Sequence, residues 1–172
     1  DDEKLVGKMM TDFKTEYTEN ITDYVEPISF TVDFVREYQG DLPIAIASMS
    51  SRNAIQKLIK YMGIEDKITH ITTRDEIVNH KPHPEIYLKT AEYINIDPKN
   101  CLAFEDTSLG ARSAIAAGMM CCAVLNGENH KDDFKVYHEG FSSQADKWPA
   151  NPNNILVKEL KKKRYEGKCI VD

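Results

Sequence analysis

Ser48, Lys81 and the adjacent pair Glu105-Asp106 are the residues of this chain whose types and order suit chemistry. A serine hydroxyl, with the backbone N–H groups that follow it from Met49 onward, can hold a phosphate oxygen. A helix starting just beyond favours an anion there. Lys81 offers a compact positive charge on a loop stiffened by Pro82, able to neutralise a phosphate or steady a carboxylate nucleophile. Glu105 and Asp106 present hard oxygens that suit Mg2+, an ion that usually keeps several waters and shares a substrate phosphate. Each feature alone has a plainer reading: a capping serine, a surface lysine, acidic residues at a helix start. Their order at successive strand ends gives them a joint meaning.

The elements that must position them follow from periodicity. Leu5, Met9 and Phe13, with Val6, Met10 and Tyr17 beside them, recur at helical spacing. Ile28, Val32 and Val35 line a second helix, for which Gly40 is a candidate stop, and the link Glu19 to Glu26 is polar. Ile44 to Ala47 is a short apolar run that reads as a buried strand, so Ser48 falls at its end. Ile55, Leu58, Ile59 and Met62 form a helical stripe closed by Gly63. A weaker strand runs from Ile68 to Thr72. Pro84 suits the first turn of the next helix, with Ile86, Thr90 and Ile94 on one side. Cys101 to Phe104 is the next strand, with Glu105-Asp106 directly after it. Ser108 can cap a helix to Ala117 that Gly118 ends, and Met119 to Leu125 is the last clear strand. Strands alternating with helices predict an α/β fold with a parallel sheet, and ligands in such sheets bind outside the carboxyl ends of strands.

Composition narrows the classes. In 172 residues, 41% hydrophobic content is enough to build a core, so long-range disorder is not expected. Lys plus Arg is 22 against 28 Asp plus Glu, and a net charge of −6 argues against nucleic acid as a partner. The longest strongly apolar stretch, Ala114 to Leu125, is broken by Gly118 and too short to span a bilayer. Cys101, Cys121, Cys122 and Cys169 show no paired spacing, which predicts buried thiols in a reducing compartment, cytoplasm or organelle matrix. The chain opens on Asp1 with no basic-then-apolar leader after it. The expectation is that a segment upstream was removed or that the chain begins partway through a longer one.

The runs IAIASMSSRN and HKPHPEIYLKTAEYINIDPKNCLAFEDTSLGARSAIAAGM resemble the haloacid-dehalogenase superfamily of phosphohydrolases, closest to its β-phosphoglucomutase-like branch with small sugar-phosphate phosphatases. The resemblance covers roughly residues 41 to 125. It implies a Rossmann-like three-layer α/β core with a parallel sheet, at about residues 40–126. Residues 1–39 would be a partial helical cap and its return, and 127–172 an irregular extension. Ser48 matches the family's phosphate-binding second motif, Lys81 in KPHPEIY the third, and Glu105-Asp106 the metal-binding fourth. The implied cofactor is Mg2+ and the implied ligand a small phosphorylated metabolite.

The family's first motif, an Asp-x-Asp on the first core strand that supplies the nucleophile, has no match upstream of Ser48. Asp1-Asp2 lacks an apolar strand before it, Asp12 and Asp33 sit in helical patterns, and Asp41 is in a turn. The family pattern therefore predicts a sheet with open ladder edges, completed by an upstream segment or by a protein partner. Two functions are carried forward: a phosphohydrolase whose nucleophile lies upstream, and an inactive structural or binding subunit. The chain of 172 residues alone is expected to give no turnover.

Other constellations carry less. His80, His83, His130 and His138 follow no structural-zinc spacing. Lys158 and Lys161 to Arg164 read as a solvated face of a helix over Ile155 to Lys163. The ending Cys-Ile-Val-Asp has the outline of a prenylation box, but a terminal Asp does not suit one. Asn126 to Asn154, which holds the single tryptophan Trp148, is long and irregular and is the sequence's best hint of a partner.

Overall fold

Apolar runs with glycine or asparagine stops divide the chain into alternating helices and strands. The computed structural model describes residues 2–124 and, beyond them, the two-residue strand Cys169–Ile170. The helix expected over Ile155 to Lys163, the Trp148 segment, the basic run, His130 and His138 lie outside the described residues. The chain divides into two compact units, Asp1–Asp75 and Glu76–Asp172.

The first unit runs α1 (Asp2–Glu19), α2 (Ile21–Tyr24), α3 (Ser29–Glu37), β1 (Ile44–Ser48), α4 (Arg52–Tyr61) and β2 (Ile68–Thr73). The polar link read between the first two helices is itself the short helix α2, and Ile21 anchors it by being buried. Strands β1 and β2 pair in parallel, with Ser48 opposite Thr73 at their carboxyl ends. The core is small: Val32, Ile55, Ile59 and Ile64 are buried, with Ile46, Ile68 and Ile71 of the sheet packed against them. By contrast α1 buries no residue, and Leu5, Val6, Met9, Met10 and Phe13 are all more than half exposed.

Charges close the helix ends of this unit, where carbonyls lack partners within the helix. The Lys57 ammonium donates to the carbonyls of Thr18 (3.2 Å) and Glu19 (3.3 Å) at the end of α1. Arg36 of α3 donates from Nε to the Met62 carbonyl at 2.9 Å, just past α4. Gly40 is not the stop of α3, which ends three residues earlier at Glu37. A Cβ on Gly40 would lie 2.3 Å from the Tyr38 hydroxyl, so the glycine leaves room for the Tyr38 ring.

The second unit runs α5 (Glu85–Tyr93), β3 (Leu102–Glu105), α6 (Ser108–Ala116), β4 (Met120–Val124) and β5 (Cys169–Ile170). Strands β3 and β4 are parallel, with Glu105 opposite Ala123. The expected parallel sheet needs one correction here. Strand β5, within the stretch read as an irregular extension, pairs with β4 antiparallel. At two residues it is too short to show a period. Helix α6 presents Gly110, Ala111, Ser113 and Ala114 as its buried face, small residues that let it approach β3 and β4 closely. Thr107, not Ser108, caps it: its hydroxyl accepts the Gly110 N–H at 3.1 Å. Ladders join β1 to β2 and β3 to β4 to β5, as two separate sheets.

Helices α4, α5 and α6 all end in the same way. Gly63 (φ 62°), Asn95 (φ 54°) and Gly118 (φ 83°) take the left-handed conformation one residue after the cap. The next N–H then returns to the carbonyl five residues back: Ile64 to Ile59, Ile96 to Ala91, Met119 to Ala114. The two glycines are visible as stops in the sequence. Asn95 is a third stop that an apolar pattern conceals.

The expectation of four reduced thiols also needs correction. Cys101 and Cys121 are free, and Cys122 is disulfide-bonded. Burial and the nearby Glu105 charge push the Cys121 thiol up to about 12. The half-buried Cys101 is also raised, by burial and then by Asp97.

Two outcomes are expected. Asn95→Ala, which must hold a left-handed backbone without the asparagine's local polar compensation, costs about 1 kcal/mol in urea unfolding. Iodoacetamide at pH 8 alkylates Cys101 in the native protein and reaches Cys121 only after unfolding, as peptide mass mapping will show; equal labelling of both would contradict the burial described.

Candidate active site

Glu105 is the last residue of β3, and its side chain is 8% exposed. A carboxylate so deep needs compensation, because an isolated buried charge is strongly unfavourable. Lys81 supplies it: Nζ lies 2.5 Å from Glu105 Oε1, and the lysine side chain is itself 13% exposed. Tyr87 of α5 donates its phenol to the same Oε1. The ammonium also lies 3.4 Å from the Tyr87 hydroxyl and 4.8 Å from the ring centroid, a cation–π contact that adds to the pair. On the other oxygen, Oε2, the Thr107 hydroxyl donates at 3.4 Å.

Gly110 makes the seat possible. A Cβ there would fall 1.8 Å from Glu105 Oε2 and 2.1 Å from the carboxyl carbon. The carboxylate therefore lies directly against the helix backbone in the first turn of α6. Asp106 follows, half-buried, between the strand end and the helix cap.

The loop that delivers Lys81 is held at three points. Glu85, at the first turn of α5, accepts the N–H groups of Val78 (2.9 Å) and Asn79 (2.8 Å) and the Asn79 amide (2.9 Å). The two backbone donors pull its carboxyl down to about 2, so it stays ionised throughout the neutral range. His83 accepts the Glu85 N–H through Nδ1 at 3.2 Å. Ser113 of α6, fully buried, donates to the His83 carbonyl at 2.7 Å. The Lys81-Pro82 peptide is cis.

Ser48 ends β1 in the first unit, half-buried, and its Oγ accepts the Ser50 N–H at 3.1 Å. Ser51 is the residue that caps α4, accepting from Ala54 at 3.4 Å. This leaves Ser48 at the strand end and Met49 in the turn that follows, neither of them in the cap itself. Of the residues singled out in the sequence, Lys81 and Glu105 are brought into direct contact, with Asp106 adjacent. His80 and His83 are exposed loop residues. Sequence reasoning missed Tyr87, Thr107, Gly110 and Ser113. Tyr87 was within the motif run KPHPEIY, but it reads there as an ordinary core aromatic.

The donor set suits Mg2+ only in part. Among the described residues, no group of three or more His, Cys, Asp or Glu gathers in a way that could hold a metal ion. Glu105 Oε2 and the Asp106 carboxylate are hard oxygens of the kind Mg2+ takes singly or in pairs, with water and phosphate oxygens completing its shell. No described helix is long and apolar enough to cross a membrane.

Comparisons with known proteins identify the family. The sequence model of the haloacid dehalogenase-like hydrolases matches residues 1–124. A second one, described as a hypothetical methyltransferase, matches residues 120–172, which lie almost wholly outside the described structure. The chain is 32% identical over 107 residues to the fructose-1-phosphate phosphatase YqaB of Escherichia coli, covering 62% of this chain and 56% of that one. It is 35% identical over 106 residues to protein CbbY of Rhodobacter capsulatus, covering 59% and 46%. A crystal structure of β-phosphoglucomutase from Clostridium difficile superposes with a TM-score of 0.52 at 30% identity, covering 64% of this chain and 47% of that one. The chain thus spans about half the length of the curated relatives it matches. With motif order, strand-end carboxylates and a family match over most of its length in agreement, the chain belongs to the haloacid dehalogenase-like hydrolases.

Proposed function

We propose that the protein is a Mg2+-dependent phosphohydrolase of a small phosphorylated metabolite, with a sugar phosphate as the substrate class. The observation that carries this reading is the buried Lys81–Glu105 pair beside Asp106 at the carboxyl end of a parallel strand. The relation to a fructose-1-phosphate phosphatase supports the substrate class.

In this reading Asp106 and Glu105 hold the ion, which supplies charge neutralisation at the phosphate oxygens. Lys81 is fixed by its carboxylate partner and holds the transferring phosphoryl group. Ser48 and the Met49 N–H bind its oxygens. The nucleophile is an aspartate on an upstream strand. Its carboxylate attacks phosphorus, the second aspartate of the same motif gives its proton to the departing ester oxygen, and that aspartate then takes a proton from the water that hydrolyses the acyl phosphate to inorganic phosphate. None of the aspartates before Ser48 among the described residues ends a strand: Asp2 and Asp12 lie on α1, Asp23 on α2, Asp33 on α3, and Asp41 precedes β1. The strand that carries the nucleophile, from the same polypeptide or from a protein partner, also completes the sheet.

Phosphate release from sugar phosphates tests this directly. A protein that includes the upstream Asp-x-Asp strand turns over with Mg2+, loses activity with a chelator and recovers it on adding Mg2+. Asp106→Ala abolishes its turnover. A verified polypeptide of these 172 residues gives none; turnover from it would sink the upstream nucleophile. Absence of turnover from the longer protein would favour the inactive binding subunit.

Two variants separate stability from chemistry. Lys81→Ala leaves Glu105 buried without its countercharge and costs about 3 kcal/mol in urea unfolding, besides abolishing turnover. Gly110→Ala, whose Cβ collides with the Glu105 carboxylate, raises the Mg2+ concentration needed for half-maximal activity at least about tenfold.

A further inference from the structure

We propose that Glu85 is a positioning residue, one whose carboxylate acts through the loop before α5 to set where the Lys81 ammonium stands. The proposal rests on the reading of Lys81 as the cation that holds the phosphoryl group and adds to it a residue outside that contact. A lysine is a point charge on a flexible four-carbon stem, so its place is only as definite as the backbone that carries it. Packing does not hold that backbone. Val78 is 85% exposed, and Asn79, His80, Pro82 and His83 are exposed as well. Hydrogen bonds hold it instead. Glu85 accepts three of them, from the Val78 N–H through Oε1 and from the Asn79 N–H and side-chain amide through Oε2.

A glutamate in the first turn of a helix commonly serves the helix itself, through its dipole or its free N–H groups. Here all three donors lie six or seven residues before it, on the loop, and α5 has no side-chain cap at all. One turn further along α5, Lys89 donates to the Glu76 carbonyl and lies 4.0 Å from Glu85 Oε1. One face of α5 thus holds the chain as it enters the loop. At the other end Ser113 holds the His83 carbonyl. Lys81 sits between these two fixed points, and its ammonium meets Glu105. A carboxylate can accept from Val78 and Asn79 at once. A carboxamide of the same size cannot, because its nitrogen would face one of the donors.

The test is the rate at which an N-hydroxysuccinimide acetate acetylates each lysine of the 172-residue chain, read by peptide mass mapping. In the native chain Lys81, 13% exposed and paired with Glu105, reacts far more slowly than Lys8, which is exposed on α1. In Glu85→Gln the Lys81 rate rises about tenfold, as expected when charge-assisted bonds no longer oppose opening of the loop. Lys8 keeps its rate, and Cys121 stays shielded from iodoacetamide, which shows the core intact. A lowered urea midpoint with a native Lys81 rate gives Glu85 a merely structural role and overturns the proposal, as does a native Lys81 that reacts as fast as Lys8. Should Glu85→Gln expose Cys121 too, Asn79→Ala removes only one of the three donors. A Lys81 rate raised a few-fold with Cys121 still shielded then supports the proposal, and a native rate overturns it.

A second measurement separates this proposal from the reading beneath it. In the protein that includes the upstream strand, inorganic phosphate slows acetylation of Lys81, and Glu85→Gln raises the phosphate concentration needed for half-protection about tenfold. Phosphate that leaves the native Lys81 rate unchanged overturns the phosphoryl role of Lys81. If Glu85→Gln still accelerates acetylation there, the positioning of Lys81 by Glu85 stands. Phosphate that protects Lys81 equally well in both proteins overturns the positioning and leaves the phosphoryl role standing.

Discussion

A carboxylate with less than a tenth of its side chain exposed organises the second unit. Burying Glu105 requires a countercharge, and that fixes Lys81. Fixing Lys81 requires a loop that does not wander, hence the Glu85 clamp on Val78 and Asn79 and the Ser113 bond to the His83 carbonyl. Seating the carboxylate against α6 requires a position with no side chain, which is Gly110. The same charge reaches further: with burial, it raises the Tyr87 phenol and the Cys121 thiol, keeping both protonated. One buried carboxylate thus explains features on a loop, two helices and a strand.

The helix ends show how the scaffold holds that group in place. Each of α4, α5 and α6 stops on a left-handed residue, and the N–H after it returns to the last turn. In α4 and α6 the returning residue also carries a buried apolar side chain, Ile64 on Ile59 and Met119 beside Ala114. The stop and the hydrophobic contact coincide, so the chain leaves each of these helices in a fixed direction toward the next element. That direction matters most after α6, because β4 must then run parallel to β3 and place Ala123 opposite Glu105.

What could be read from the sequence follows from the range of each interaction. That Ser48 and Glu105-Asp106 lie at strand ends and Lys81 on the loop before α5 was legible because strand ends and loops are marked locally. The strands and helices around them were legible from apolar periodicity, with Gly63 and Gly118 as stops. Tyr87 was not, since its role depends on a partner 18 residues away on another element. Gly110 reads as a weak helix residue until the carboxylate beside it is seen. Thr107 and Ser108 are equally good caps by type, and only the backbone decides between them. The Cys122 disulfide and β5 depend on long-range pairing that no local pattern carries. The exposed apolar stripe of α1 was read correctly as a helix face, but periodicity does not say whether such a face is covered.

Stability alone gives little reason for the Lys81–Glu105 pair. Replacing a buried ion pair by apolar residues of similar volume is often neutral or stabilising by about 1–4 kcal/mol, because desolvation offsets the attraction between the charges. A fold that needed only packing between α5, α6 and β3 would be served by leucine and methionine, with no glycine required at position 110. Here the charged pair comes with a phenol donor, a glycine that serves the carboxylate, a clamped loop and a second carboxylate next in sequence. Each has a cost or a constraint that apolar packing would avoid. Under a purely structural role these are five separate inefficiencies. Under a role in which a lysine and two carboxylates must face a phosphate and its cation, the same features act as one arrangement. That difference weighs the residues of this chain toward chemistry.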